Sequence, residues 1–401
     1  MMLAAAASVP LFDAVVIDEA AQATETATLI PLRWLRPGGT VVLVGDPRQL
    51  APTVLSRGVA AQRLSRSMFE RLQTAGARVH LLSVQYRMHP EIRSFPSDRF
   101  YDGALVDGCA AADRHAAHHL KVSNCGPYVA FDVAGGVERR GPRTASLSNV
   151  AEADLAAAVY NQLQKSAAAA AAGAADDDDS SSGGSPPTAR IMTVGVVTPY
   201  RDQMMELRRR FAPLLARADA RFAPVEFATV DGVQGREFDA VIFSCVRAPT
   251  RSSLGGGGAG AGGGGQSDRT RRRGGHRHDD LDEGAEDGEI EPRDAAAAAA
   301  EDAAHSRRTI GFLGDPRRLN VALTRPRRTL IVLGHAATLR SADRMWASLW
   351  DDADHRWGFE RSGGRMRERE RERERDHIRM NGTTSIVYRV GYFFHQTVTN
   401  E

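Results

Sequence analysis

Phe12 to Ile17 is a largely apolar run closed by Asp18-Glu19-Ala20-Ala21-Gln22. Val41 to Val44 is a second, closed by Gly45-Asp46-Pro47-Arg48-Gln49-Leu50. No other pattern in the chain restricts its fold as much. A strand buried in a parallel sheet reads as a continuous apolar stretch, and in open α/β sheets the chemistry sits just past the carboxyl ends of such strands. The two acidic clusters therefore predict strand ends that form a nucleotide-hydrolysing site. Asp18 is suited to hold Mg²⁺ and Glu19 to act as base toward an attacking water. Gln22 and Gln49 are suited to contact nucleotide phosphates.

With 401 residues, 42% hydrophobic and 25% charged, the chain has apolar content for one or two ordinary cores. A formal net charge of +2 does not by itself imply a polyanionic partner. Cys109, Cys125 and Cys245 are scattered without CxxC spacing, which points away from a disulfide framework or zinc site and toward a reducing compartment. Met1 to Pro10 is apolar but short and lacks a basic flank. Neither a signal peptide nor a membrane span is expected, and a nuclear or cytosolic location is. Lysine occurs only as Lys121 and Lys165, neither behind a glycine loop, so no segment can be a Gly-Lys-Ser/Thr phosphate loop.

Along the chain, residues 11 to 107 alternate apolar runs with helix-like segments, including Arg57 to Ala75, and read as a βαβ layer. Val79 to Val84 predicts a strand ending at Gln85-Tyr86-Arg87-Met88-His89-Pro90, where the proline suits a helix start and a second domain is expected to begin. Asn149 to Gln164 predicts a helix. The alanine, aspartate, serine and glycine tract that follows, residues 166–187, reads as an inserted loop. Further strands are expected over Ile191 to Val197, Ala240 to Val246 and Thr329 to Gly334. Helices are expected over Arg201 to Leu215, Pro316 to Thr324 and Ala336 to Trp350. Residues 251–307 read as a second disordered insertion, with a basic stretch from Arg269 whose readings are a solvated tail, nuclear targeting or RNA binding. Residues 351–401 read as a disordered tail that includes the Arg-Glu alternation from Arg367 to Asp376, with a strand-like stretch at Ser385 to Thr399. The division is thus 1–80 for a first domain and 81–350 for a second.

Four further features carry chemistry. Arg87 and Arg325 each follow an ordered element, as a cleft-closing arginine pair that stabilises phosphoryl charge requires. Thr229-Val-Asp-Gly-Val-Gln-Gly-Arg-Glu237 brings Gly232 and Gly235 together with Gln234 and Glu237. Backbone there can approach a phosphate chain and a ribose hydroxyl, or the segment can be an ordinary turn. Thr198, Pro199 and Tyr200 make a strand-end turn that reads either as packing or as a contact to nucleic-acid backbone.

In this order, DEAAQ, GDPRQLAPTVLS, VQYRMHPEI, VVTPYRDQM, TVDGVQGREFDAVIFSCVRA and GFLGDPRRLNVALTRPRRTLIVLG resemble the motifs of superfamily 1B helicases. DEAAQATE, PTVLS and FPSDRFYDGALVDG are most like the senataxin-like branch. The resemblance runs from Phe12 to Gly334 outside the two insertions. It implies an α/β fold of RecA-like parallel-sheet domains, the P-loop NTPase fold, with ATP and Mg²⁺ in the cleft and single-stranded RNA or DNA across the top, moved 5′ to 3′. It also implies roles: Asp18 as metal ligand, Glu19 as catalytic carboxylate, Gln49 as phosphate sensor, Arg87 and Arg325 as arginine fingers, Glu237 as the nucleotide-sugar contact. Relatives carry a Walker A loop upstream of the DEAAQ strand, so the first domain is expected here as a fragment. The alternatives are an active ATP-dependent helicase portion and a non-catalytic nucleic-acid-binding or regulatory module, and the sequence leaves RNA against DNA open.

Overall fold

The computed structural model describes residues 11–54, 63–108, 127–176, 192–250 and 310–360. The expected inserted segments at 177–187 and 251–307 and the expected tail over 361–401 lie outside them.

At the start, β1 (Phe12–Ile17), α1 (Glu25–Leu32) and β2 (Leu35–Leu43) form the expected βαβ unit, with the strands parallel. Thr24 caps α1 by accepting from the Ala27 amide. The expected burial is not met. Among the described residues β1 and β2 pair only with each other, and Val16 is 65% exposed, with Val41 and Val42 exposed too. Within the described part of the expected Arg57–Ala75 segment, residues 63–64 are helical and helix α2 (Met68–Thr74) starts anew after Ser67, which takes extended backbone and caps it by accepting from the Glu70 amide. Val79 to Val84 does not form a strand: only Val84–Gln85 (β3) pairs, with Val106–Asp107 (β4). Apolar residues alone do not make a strand without a neighbouring backbone to bond. Here Leu82 stays 84% exposed.

Pro90 opens helix α3 (Pro90–Phe100) at its first turn, with the His89 ring accepting from the Glu91 amide. The chain then builds a five-stranded parallel sheet. Its strands are β5 (Tyr128–Asp132), β8 (Val194–Thr198), β9 (Val225–Thr229), β10 (Phe238–Ser244) and β11 (Pro326–Gly334), in spatial order β5-β11-β10-β8-β9. A short antiparallel pair, β6 (Glu138–Arg140) and β7 (Leu147–Asn149), precedes β8. The central strand β10 is buried at every residue and alternates between the two faces. Val241 and Phe243 join Ile92, Leu319 and Trp346 on one side, while Ala240 and Ile242 join Tyr160, Leu207 and Phe211 on the other. Trp346 stacks on Phe243 and donates its indole N–H to the Leu313 carbonyl at 2.9 Å. Edge strands β5 and β9 have no counterpart in the sequence reading.

Helix α4 (Val150–Asp176) runs through the alanine tract that was expected to be a loop, because alanine has the highest helix propensity of all residues. Helix α5 (Arg201–Leu215) has the predicted bounds and buries Gln203, Leu207 and Phe211 at four-residue spacing. Helix α6 (Pro316–Leu323), capped by Asp315, leads into β11. The single helix expected from Ala336 is two, α7 (Ala336–Ala342) and α8 (Arg344–Glu360), broken at Asp343, whose carboxylate caps α8 through the Met345 and Trp346 amides. Helix α8 thus runs ten residues past the start of the expected tail at 351, to Glu360.

A buried polar knot ties α4 and α5 to the end of β10. Glu152 is fully buried, and its carboxylate accepts from Ser244 Oγ (2.7 Å), the Val246 amide (2.8 Å) and Asn149 Nδ2 (3.2 Å). Gln203 bonds both the amide and carbonyl of Asn149 and the Ser244 hydroxyl. Val246 has left-handed backbone, φ +74°, which a β-branched residue adopts only when its surroundings hold it there. Burial pushes the Glu152 carboxyl up to about 8, against the bonds from Ser244 and Val246 that favour its charge. A folded pKa above the unfolded value of 4.5 means that the knot's contribution is complete in acid and is lost as pH rises toward 8. Between pH 5 and 8 the native chain is expected to lose roughly 2–4 kcal/mol relative to Glu152→Gln. Urea midpoints across that range test this. Parallel pH dependence in the two proteins would mean that Glu152 is already ionised below pH 5.

Candidate nucleotide cleft

Asp18 follows β1 and its Oδ1 accepts the Glu19 amide at 2.8 Å. This turns the chain sharply and puts Glu19 in left-handed backbone, φ +51°, at a cost of roughly 1–2 kcal/mol for a side-chain-bearing residue. Gln22 then donates its amide to Glu19 Oε2 at 2.5 Å. Ala20 and Ala21 are buried, with the Ala20 amide bonded to the Val44 carbonyl at 2.8 Å. Gly45 sits against them so closely that a methyl group on it would lie 2.8 Å from the Ala21 nitrogen. Small residues in both motifs are thus what lets the two strand ends meet.

After β2, Asp46 organises its own loop. One oxygen accepts the Arg48 amide at 2.9 Å; the other accepts Gln49 Nε2 at 2.8 Å and the Tyr101 hydroxyl at 2.5 Å. Gln49 Oε1 in turn accepts from Arg325 Nη2 at 2.9 Å. Two further contacts cross the same gap: Asn320 Nδ2 donates to the Arg48 carbonyl at 3.0 Å, and Arg317 pairs with Glu70 at 3.0 Å.

Arg325 lies between α6 and β11 and is 2% exposed. Its other N–H groups go to the carbonyls of Val321 (3.0 Å) and Arg236 (3.2 Å) and to Thr324 Oγ1 (3.0 Å). No carboxylate among the described residues forms an ion pair with it. Burial first, then the nearby charge of Arg87, pulls its pKa down to about 10, and Tyr101, Glu19 and Asp46 offset this only in part. A buried guanidinium held by neutral oxygens is a cation short of an anion.

Arg87 donates to Glu237 Oε2 at 2.8 Å and to the Thr324 carbonyl at 3.1 Å, and Arg327 reaches the other Glu237 oxygen. Burial opposes charge on Glu237, but the bonds and attraction from Arg327 and Arg87 hold its carboxyl below the usual range. Gly235 is exposed with φ +76°, a left-handed turn that favours glycine, and the buried Gln234 Oε1 has no hydrogen-bond partner among the described residues. A cleft of about 1510 Å³ is bordered by Gln49, Tyr86, Arg87, Tyr101, Glu237 and Arg327. Asp18, Glu19 and Gln22 stand at the adjoining strand end.

The other predicted residues lie elsewhere. Arg325 and Glu237 precede β11 and β10, whereas Thr198, Pro199, Tyr200 and Thr229 occupy the carboxyl ends of β8 and β9. Thr198 and Tyr200 are buried; the Tyr200 hydroxyl donates to the Ile310 carbonyl at 3.3 Å, and burial raises its pKa to about 12. Pro199 and Thr229 keep partial exposure. The sequence reading passed over three residues of the cleft. Tyr86 is 59% exposed beside Arg87, and Tyr101 and Asn320 bridge the gap. Asn320 had a legible signal, being a polar residue in the middle of the buried run Leu319–Leu323 of α6.

Among the described residues no group of three or more His, Cys, Asp and Glu could hold a metal ion. The donor set suits a different arrangement, in which a hard divalent ion rests on one carboxylate and on phosphate oxygens. Together with the unpaired charge on Arg325, it fits a nucleoside triphosphate.

A parallel sheet covered by helices on both faces, with a buried arginine bonded to the loop that follows a neighbouring parallel strand pair, defines a RecA-like α/β domain of the P-loop NTPase fold. Family models described as AAA domains match residues 64–337 and 2–57. "Probable helicase MAGATAMA 3" of Arabidopsis thaliana is 35% identical over 347 residues, which is 86% of this chain and 33% of that protein. "Helicase sen1" of Schizosaccharomyces pombe is 35% identical over 85% of this chain and 16% of its own length. "Regulator of nonsense transcripts 1" of Dictyostelium discoideum is 30% identical over 84% of this chain and 19% of its own. The chain belongs to the superfamily 1B helicases, in the senataxin-like group. It spans a third or less of the length of these relatives.

Proposed function

We propose that this chain is the part of an ATP-dependent helicase that carries the end of a first RecA-like domain, residues 1–80, and a second, residues 81–350. It couples ATP hydrolysis to 5′ to 3′ movement on single-stranded RNA or DNA, as an RNA or RNA/DNA helicase, in the nucleus or cytoplasm. The observation that carries this reading is Arg325, buried without a carboxylate and bonded across the cleft to Gln49. When bound, ATP with Mg²⁺ supplies the anhydride bond whose cleavage drives movement. Asp18 holds the ion and Glu19 takes the proton of the attacking water. Gln22 and Gln49 contact phosphate oxygens, and Arg325 and Arg87 neutralise charge that grows on the transferred group. Gly235 allows close backbone approach, and Glu237 accepts from a ribose hydroxyl after parting from Arg87. The exposed Tyr86 ring offers a face to a base. Thr198, Pro199, Tyr200 and Thr229 border the nucleic-acid path at the far ends of the strands. Among the described residues no helix is long and apolar enough to cross a membrane.

The test is ATP hydrolysis with and without single-stranded RNA or DNA, together with unwinding of duplexes that carry a 5′ or a 3′ overhang. With the upstream phosphate-loop segment that relatives carry supplied, RNA-stimulated turnover and unwinding from the 5′ overhang alone are expected. Salt-sensitive RNA binding that ignores ATP, with no turnover, would make the chain a non-catalytic nucleic-acid-binding module.

A further inference from the structure

Gln49 can serve the cleft only if its amide points one way. With Oε1 on Arg325 and Nε2 on Asp46 each end meets a complementary group, whereas the flipped amide would turn N–H groups on the N–H groups of Arg325. What holds Asp46 therefore decides what Gln49 does. Its Oδ2 accepts from both Gln49 and the Tyr101 hydroxyl, which in turn accepts from Asn320 Nδ2 at 2.8 Å. The hydroxyl has one proton, and with Asn320 donating to its oxygen that proton can only go to Asp46. Burial, then the adjacent Asp46 charge, raises the Tyr101 pKa far above neutrality, so the donor is permanent. Asn320 is itself fixed, being fully buried in α6 and bonded to the Arg48 carbonyl at 3.0 Å.

We propose that Tyr101, oriented by Asn320, is the positioning residue that sets the amide of Gln49 against Arg325, and so lets the cleft tell ATP from ADP. The proposal rests on the reading of the cleft as an ATP site. Loss of the hydroxyl leaves Asp46 Oδ2 with Gln49 as its one donor and the carboxylate otherwise held only by the Arg48 amide on Oδ1, so the anchor of Gln49 is weakened while the ring of phenylalanine keeps the packing. Only the group that reaches a terminal phosphate is affected, so ADP affinity stays as it was.

The experiment measures binding of fluorescent ADP and of a fluorescent non-hydrolysable ATP analogue to the native chain, Tyr101→Phe, Gln49→Ala and the double variant, with thermal unfolding as the check on folding. Tyr101→Phe is expected to lower the ratio of ATP-analogue to ADP affinity about tenfold, the scale of one charge-assisted hydrogen bond. It should have no further effect in the Gln49→Ala background. Asn320→Ala, which leaves Tyr101 in place, should shift the ratio in the same direction by about threefold. It also keeps the proposal testable should Tyr101→Phe fail to fold. An unchanged ratio in either folded variant, or effects of Tyr101→Phe and Gln49→Ala that simply add, would overturn the role of Tyr101. Absence of nucleotide binding by the native chain would instead refute the ATP site itself, and this inference with it.

Discussion

In a chain extended upstream to include the phosphate loop, Glu19→Gln is expected to lower RNA-stimulated ATP hydrolysis roughly 10²–10⁴-fold while leaving nucleotide affinity within about threefold. Glutamine keeps the size of the side chain and its acceptor for Gln22 but cannot take a proton. The site itself makes this substitution mild for the fold. Glu19 is exposed, bonds only to its own loop, and its left-handed backbone comes from the Asp18 bond to its amide rather than from its side chain. Steady-state turnover and equilibrium nucleotide binding on the same preparation decide the matter. Near-native turnover would remove Glu19 from the chemistry.

Arg325→Ala should slow turnover about 10³-fold or more, the scale on which an arginine that neutralises phosphoryl charge acts, and should weaken RNA binding far less. Its effect on stability separates this from simple damage. Removing one partner of a buried ion pair is strongly destabilising because it strands the other charge, yet Arg325 has no such partner, and its lowered pKa shows that the fold disfavours its charge. The apo chain is therefore expected to lose about 2–4 kcal/mol in urea unfolding, for the bonds to Gln49, Val321, Arg236 and Thr324, with no stranded counter-charge added. Arg325→Lys should be nearly as inactive, since an ammonium cannot reproduce the planar fork. Weakened RNA binding with near-normal turnover would move Arg325 to the nucleic-acid surface.

Such residues explain what was legible in the sequence. Asp18 to Gln22 and Gly45 to Gln49 announce themselves because a strand end is local: the apolar run, the small residues that let two strands approach and the polar cluster are consecutive. The same holds for Pro90 opening α3 and for α5, whose apolar spacing alone gives its bounds. Reading fails where a partner far along the chain decides. Val79 to Val84 has the composition of a strand, but a strand exists only where another backbone pairs with it. The alanine tract after Gln164 looked like filler because it cannot build a core, yet it needs none to continue a helix already begun. Tyr101 and Asn320 are 219 residues apart and meet only in the folded cleft, so neither bears a local mark of its partner. Thr198 and Tyr200 show the opposite limit, a turn that the sequence leaves open between packing and a nucleic-acid contact and whose side chains the sheet end buries.

Arg317, Asn320 and Arg325 all reach across the cleft from α6 or the residue pair that follows it. They grip Glu70, the Arg48 carbonyl and Gln49 within about 12 Å of chain. A helix this short and this deeply packed cannot bend to release them one at a time. A rigid-body separation of the two sides would break these three contacts, and the Tyr101 bond to Asp46, together, so the contacts are expected to act as one seam rather than as independent bonds.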